Sequence, residues 1–195
     1  NREMDVFAHV ARVTGAQSII EFASEQSQRL EGFTVQSAVV RGADVKSLKF
    51  RERGFEIEIE VEAAQKTGYY FDQRPLRVRI EALSRGSRVL DACCYVGPVA
   101  LAAARGGASA VWAIDKSAPA IEVAKQCAAL NGLGDSIQFE AIEAQQAFRK
   151  AADEGGWDVV ICDPPKLASS RRSRQKGAGG YRKLAAGACA ATSVG

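Results

Sequence analysis

Hydrophobic and polar positions change their rhythm along the chain. From Phe55 to Glu62 they alternate strictly, with Phe55, Ile57, Ile59 and Val61 on one face and Glu56, Glu58, Glu60 and Glu62 on the other, which predicts a half-buried strand. Four glutamates on one face invite a catalytic or metal-binding reading, but a solvated sheet face is the ordinary use of such a pattern. Upstream, SIIEFAS suits a short strand around Ile19 and Ile20, and SEQSQRLEGF predicts a helix capped by Ser24 and closed by Gly32. After KTGYYFDQR the rhythm switches to strand and helix in turn, the pattern of a parallel sheet with crossover helices. Strands are predicted at 88–91, 110–115, 136–141 and 158–163. One Ala-rich helix runs from Pro98 to Arg105 and stops at Gly106-Gly107; another is capped by Ser117 and ends at Asn131-Gly132. A last helix is predicted from Tyr181 to about Ala191, and residues 169–180 (SSRRSRQKGAGG) read as a flexible loop.

The 195 residues are 47% hydrophobic, 25% charged and 7% aromatic, a globular balance that excludes a disordered chain. That length holds one good core, or a core plus part of a second domain. No apolar run approaches the ~18–20 residues that cross a bilayer, and the first residues lack the order of a signal peptide, so a cytoplasmic protein without a membrane partner is expected. Five cysteines (Cys93, Cys94, Cys127, Cys162 and Cys189) show no C-x-x-C spacing and sit in apolar stretches, as reduced thiols do. His9 is the only histidine, which removes His-based triads and metal clusters from consideration; no metal is expected. The net charge of +3 is too small to identify a nucleic-acid binder, but it is uneven. Lys166, Arg171, Arg172, Arg174, Lys176, Arg182 and Lys183 follow one another with no acidic residue between them.

The candidate chemistry lies at strand ends. VLDACCYVG puts Asp91 at the carboxyl end of a predicted buried strand and Gly97 in the turn that opens the next helix, where open α/β sheets bind their ligands. The next strand ends in Asp115, where a carboxylate can accept hydrogen bonds from both ribose hydroxyls. Cys93, Tyr95 and Lys116 flank these positions and are counted with them. Together they indicate a nucleoside cofactor. A dinucleotide site wants G-x-G-x-x-G to hold a pyrophosphate, and Gly97-Pro98-Val99-Ala100-Leu101 does not supply it. One glycine with an acid six residues earlier suits S-adenosylmethionine, whose cationic end favours a carboxylate. The fourth strand ends in Asp163-Pro164-Pro165-Lys166, a rigid turn on the same edge and the candidate transfer site. It is similar to the D-P-P-[YF] turn of amino-group methyltransferases, except at Lys166.

In order, QKTGYYFDQR, VLDACCYVG, ARGGA, AIDKSAPAIEVAKQCAALNGL, DVVICDPPK and GYRKL resemble the ribosomal large-subunit RNA methyltransferases that modify carbon 5 of a cytosine in 23S rRNA. That family joins an RNA-binding PUA domain, a small central domain and a Rossmann-like catalytic domain. The resemblance covers roughly Ser18 to the end. It implies an α/β, Rossmann-like, doubly wound and mostly parallel sheet over 65–195, truncated after its fourth strand, preceded over 1–64 by the last part of a small α+β RNA-binding domain. It also implies that Lys66, Tyr69, Asp72, Gln73 and Arg74 border the cleft, that Asp91 and Gly97 hold the methionine end, that Asp115 holds the ribose and Glu143 with Ile142 the adenine, and that Asp163 floors the transfer site. Tyr69, Tyr70 and Phe71 are either walls for a flipped base or ordinary core aromatics. Arg171, Arg172, Arg174 and Lys176 are the expected phosphate contacts, with large-subunit ribosomal RNA as partner; a homodimer stays open.

The chain departs from that family in places. Val96-Gly97-Pro98 replaces T-G-G, so Pro98 removes a backbone donor; Glu143 stands where an aspartate is usual; and DQRPLR replaces D-Q-R-D-N-R. Methylation at carbon 5 needs a thiolate that adds to the ring, and the family's serine-cysteine-serine stretch is not in the sequence. Cys93, Cys94 and Cys162 read better as small apolar residues. The sequence is therefore expected to be a piece of a longer S-adenosylmethionine-dependent rRNA methyltransferase. The rival readings are a guanine nitrogen-7 methyltransferase and a noncatalytic RNA-binding or decayed paralogue; a nicotinamide oxidoreductase is disfavoured by the glycine pattern.

Overall fold

The computed structural model describes residues 2–21, 28–29, 32, 38–61, 68–168 and 174–193. They fall into two compact units, Asn1–Lys46 and Ser47–Gly195. In the smaller unit, α1 (Arg2–Thr14) ends where Gly15, at φ 71°, donates its N–H to the Ala11 carbonyl. The predicted strand around Ile19 and Ile20 is β1 (Ile19–Glu21), antiparallel to β2 (Ala38–Arg41). Of the helix predicted to close at Gly32, only Gln28, Arg29 and Gly32 are described; Ser24 lies outside the described residues.

The larger unit begins with a hairpin, β3 (Ser47–Glu52) and β4 (Phe55–Glu60). Its two turn residues, Arg53 and Gly54, both have positive φ (51° and 87°), the geometry that matches the twist of the flanking strands. The alternation works as expected. Phe55, Ile57 and Ile59 are buried, while Glu56 and Glu58 lie opposite Arg51 and Lys49 and pair with them. The hairpin lies in the larger unit: its apolar face packs into the core formed with α4 (Ala118–Leu130), and Asn131 at the end of α4 bonds both the N–H and the carbonyl of Glu56 (2.8 and 2.7 Å).

The rest is α2 (Arg74–Leu83), β5 (Arg88–Ala92), α3 (Pro98–Arg105), β6 (Ala110–Asp115), α4, β7 (Gln138–Ala141), α5 (Ala144–Asp153), β8 (Val159–Cys162) and α6 (Arg174–Ala190). The last four strands make one parallel sheet in the order β7-β6-β5-β8. Strand periodicity divides its core in two: Val89, Val111 and Ala113 face a cluster with the hairpin, α2, α3 and α4, whereas Leu90, Trp112 and Ile114 face one with α5 and α6. The predicted cap is present, Ser117 Oγ accepting the Ala120 N–H at 3.3 Å.

The last helix starts seven residues earlier than predicted, at Arg174, so 174–180 is helix rather than loop. Gly177, which read as a loop residue, and Gly187, inside the predicted helix, are both needed for close packing: a Cβ at Gly177 would lie 2.7 Å from Ala168 Cβ, and one at Gly187 2.8 Å from Phe148 Cδ2. Beyond α6 the chain runs beside the start of β8, with Trp157 N–H donating to Ala191 and Ser193 N–H to Trp157 (2.8 and 2.9 Å). Among the described residues, no helix is long and apolar enough to cross a membrane.

Candidate functional site

From β5 the chain moves outward through β6 to β7, then returns to β8 on the other side of β5, so the strand order reverses between β5 and β8. Crossover helices diverge at such a point and leave a crevice at the carboxyl ends. A cavity of about 610 Å³ lies there. Asp91, Cys93 and Tyr95 come from the end of β5, Asp115, Lys116 and Ser117 from β6, Glu143 from β7, and Asp163 to Lys166 from β8; Tyr70, Asp72, Gln73, Leu76 and Arg77 close one side.

The loop after β5 is bent into an unusual shape. Cys93, Tyr95 and Gly97 all have left-handed φ (63°, 54° and 77°), which costs roughly 1–2 kcal/mol for each residue that carries a Cβ. Hydrogen bonds hold it: Cys94 N–H to the Ile114 carbonyl (2.9 Å), Tyr95 N–H to Asp115 Oδ2 (3.0 Å) and Gly97 N–H to the Cys94 carbonyl (2.9 Å). Asp115 Oδ1 accepts the Ser117 N–H at 2.9 Å. One carboxylate thus fixes both loops that flank it, and its remaining lone pairs stay available to hydroxyl donors. Gly97 is required twice, by its φ and because a Cβ would meet Ala124 Cβ at 3.2 Å and Phe139 Cε1 at 3.3 Å. Pro98 falls at the first position of α3, where a missing N–H breaks no intrahelical bond. With the N–H groups of Cys94, Tyr95 and Gly97 already committed, the loop is no pyrophosphate cradle.

Asp91 has the opposite character. It is 2% exposed and borders the cavity, and its Oδ2 has no hydrogen-bond partner among the described residues. Burial pushes its carboxyl up to about 7, the Ala100 N–H opposes this, and the charges of Asp163 and Asp115 add to the rise. A buried, under-bonded acid beside two others is a site that a cationic group would complete. Burial, then Asp115, Cys162, Asp91 and Asp163, push the Cys93 thiol up to about 12. Cys94 and Cys162 are raised as well, by burial first, so these thiols stay protonated and are poor nucleophiles.

Of the residues singled out in the sequence, Asp72, Gln73, Asp91, Cys93, Tyr95, Asp115, Lys116, Glu143, Asp163, Pro164, Pro165 and Lys166 line the cavity. Gly97 shapes the turn behind it, and Ile142 donates its N–H to the Asp115 carbonyl at 3.0 Å. Tyr69 and Arg74 face away, bonded to Glu52. The three aromatics divide: Tyr70 lines the cavity, Tyr69 is core, and Phe71 is half-exposed against Phe50 and Tyr69. Lys66, Arg171 and Arg172 lie outside the described residues; Arg174 is exposed at the start of α6, with Lys176 in its first turn. Sequence reasoning missed Arg77 and Leu184 on the wall and Glu52 behind it; the second arginine of DQRPLR, three residues after Arg74, was the available signal for Arg77.

A family model described as S-adenosylmethionine-dependent methyltransferase matches residues 29–184. The chain belongs to this family. Among curated proteins, the ribosomal RNA large subunit methyltransferase of Deinococcus radiodurans is 41% identical over 145 residues, covering 72% of this chain and 35% of that protein. The ribosomal RNA large subunit methyltransferase I of Shewanella amazonensis is 31% identical over 170 residues, covering 86% and 43%. The chain therefore spans less than half the length of these relatives. Among solved structures, a methyltransferase complexed with SAH matches with a TM-score of 0.77 at 21% identity, over 99% of this chain and 49% of that one. A SAM-dependent methyltransferase from Agrobacterium tumefaciens matches with a TM-score of 0.67 at 24% identity, over 80% and 50%. The parallel sheet and its helices are thus the Rossmann-like fold of S-adenosylmethionine-dependent methyltransferases, and the cofactor of the family is the one predicted from the glycine pattern. The cavity fits it: an unpartnered buried acid for a cationic end, a strand-end carboxylate for hydroxyls and no nest for phosphate.

Proposed function

We propose that the chain binds S-adenosylmethionine at the ends of β5, β6 and β8 and serves as the catalytic part of a cytoplasmic methyltransferase that acts on large-subunit ribosomal RNA, at carbon 5 of a cytosine. The observation that carries the cofactor reading is Asp91, buried at the strand end with one carboxylate oxygen unsatisfied. Bound there, S-adenosylmethionine supplies a methyl group made electrophilic by its sulfonium. The residues contribute binding, alignment and exclusion of water. Asp91 complements the positive end beside the Gly97 turn, Asp115 accepts from the ribose while it keeps the loop bent, and Glu143 with Ile142 borders the adenine. Asp72 and Gln73 close the near side, and Asp163, Pro164, Pro165 and Lys166 form the floor against which the target base lies. That floor is held from behind: Leu167 N–H donates to Tyr181 Oη at 3.1 Å, and Gly177 lets α6 approach Ala168. Arg171, Arg172, Arg174 and Lys176 are assigned to phosphates, a sequence-independent and salt-sensitive contact.

The ribosomal RNA reading is supported by the names of the two curated relatives, and the cytosine reading only by the family resemblance carried by QKTGYYFDQR and the strings that follow it. Guanine nitrogen-7 methylation, which needs no thiolate, is the alternative reaction. Calorimetric titration of S-adenosylhomocysteine, beside Asp115→Ala, tests the cofactor site; saturable binding lost in the variant is expected. Nucleoside mass spectrometry of methylated 23S rRNA then separates 5-methylcytidine, the expected product, from 7-methylguanosine. A cooperatively folded chain that leaves the ligand unbound would overturn the enzyme reading in favour of a noncatalytic RNA-binding protein.

A further inference from the structure

One wall of the cavity is not built by the parallel sheet. Tyr70, Asp72, Gln73, Leu76 and Arg77 belong to the stretch that leads into α2, and the sheet makes no backbone ladder with it. A single carboxylate outside the cavity ties this wall to the hairpin. Glu52, the last residue of β3, is 3% exposed and accepts from three side chains of the stretch: Arg77 Nη2 at 2.6 Å, Arg74 Nε at 3.1 Å and the Tyr69 hydroxyl at 2.5 Å. Arg77, 2% exposed, passes the constraint on, because its Nη1 donates to the Tyr70 carbonyl at 3.1 Å and its guanidinium lies over the Tyr69 ring at 5.0 Å. Tyr70 in turn meets the Tyr95 ring edge-on at 5.8 Å, and the Tyr95 hydroxyl donates to the Gly68 carbonyl at 3.1 Å, so the wall is tied to the strained loop on the opposite side.

We propose that Glu52 is a positioning residue for the cofactor cavity, acting through Arg77 to set the wall from Tyr70 to Arg77 against the Asp91–Gly97 loop. A residue kept only to stabilise the hairpin would bond within the hairpin or to one neighbour. Glu52 gathers three donors spread from Tyr69 to Arg77 along the segment that shapes the site and does not line the cavity itself. Although Arg77 Nε finds no partner among the described residues, Glu52 is the acceptor shared by three side chains of the stretch, so loss of this carboxylate frees all three at once. The inference rests on the proposed cofactor site for its consequence, but not for its geometry.

The test compares Glu52→Gln with Glu56→Gln, the same exchange of carboxylate for amide in the same hairpin, at a side chain that pairs with Arg51 and lies away from the cavity. Hydrogen exchange of the ligand-free chain, read by mass spectrometry, is expected to rise over residues 69–77 in Glu52→Gln and to stay at the wild-type level there in Glu56→Gln. Titration of S-adenosylhomocysteine well below the thermal transition is expected to show affinity about tenfold weaker in Glu52→Gln, the factor that corresponds to ~1.4 kcal/mol, and within about twofold of wild type in Glu56→Gln. Unchanged exchange over 69–77, or raised exchange with unchanged affinity, overturns the positioning role. A folded wild-type chain that binds no S-adenosylhomocysteine instead defeats the cofactor site, while the exchange data still decide whether Glu52 orders the wall.

Discussion

Two carboxylates in the larger unit are buried to almost the same degree and are treated in opposite ways. Glu52, at the hairpin end, is 3% exposed and surrounded by donors from Tyr69, Arg74 and Arg77; Asp91, at the end of β5, is 2% exposed, and one of its oxygens has no partner among the described residues. Burial raises the Glu52 carboxyl, but Arg77, Tyr69 and Arg74 together outweigh it and hold the group below its usual value. Burial is the largest influence on Asp91 too, and with only the Ala100 N–H against it the carboxyl is pushed up to about 7. The same desolvation is compensated inside the protein in one region and left uncompensated in the other. An internally satisfied charge organises structure, whereas an unsatisfied one at a cavity wall awaits a ligand.

Breaking the compensated side gives the largest expected effect. Arg77→Met leaves Glu52 without its closest cation and is expected to destabilise the chain by about 3–5 kcal/mol in urea unfolding, with much of that recovered when Glu52→Gln is added, since removing both partners leaves no buried charge unpaired. The Asp91 side is tested by pH. A carboxyl whose folded-state value is raised stabilises the fold below its unfolded value, near 3.8, and loses that contribution as pH rises through about 7. At roughly 1.36 kcal/mol per pH unit this amounts to up to about 4 kcal/mol. Asp91→Asn is expected to flatten the decline in thermal midpoint between these values while it abolishes binding of S-adenosylhomocysteine. Glu52 has the opposite sign: its contribution is present above the usual glutamate range and fades as pH falls through its depressed value.

Smaller changes sharpen the contrast. Gly97→Ala forces a Cβ into left-handed backbone and against Ala124 and Phe139, with an expected loss of about 1–3 kcal/mol and weaker cofactor binding in the same titration. Glu56→Gln removes a third carboxylate, one in the same hairpin as Glu52 that lies in the open and pairs with Arg51. Its expected effect is at most about 1 kcal/mol, with unchanged affinity, because solvent already satisfies exposed charges. A large effect there would mean that burial is not what separates the other two.

Much of this architecture was legible because it rests on contacts within a few residues. The alternation of Phe55 to Glu60, the Ser117 cap, the Asn131 stop and the acids at the ends of β5 and β6 are local patterns, and the structure reproduces them at or close to the predicted positions. The start of α6 was misread because Gly177 and Gly180 carry the composition of a loop; their purpose is to let Ala168 and Leu167 approach, which is visible only once the helix is packed. The segment Tyr69–Tyr70–Phe71 shows the same limit, since nothing in its composition tells which ring faces the cavity.

By itself, then, the order of residues determined the four strands of the parallel sheet and, with α3 and α4, the edge at which Asp91, Asp115 and Asp163 would meet, because periodicity and capping are short-range properties of a chain; α1, β2, β3, α2 and α5 went unread. Tertiary structure alone decided which charges are satisfied. Glu52 finds its partners 17 and 25 residues away, and Asp91 is denied one by the packing around it. The balance between desolvation and donors depends on what surrounds a group in space, and that neighbourhood does not exist until the hairpin, α2 and the sheet have come together.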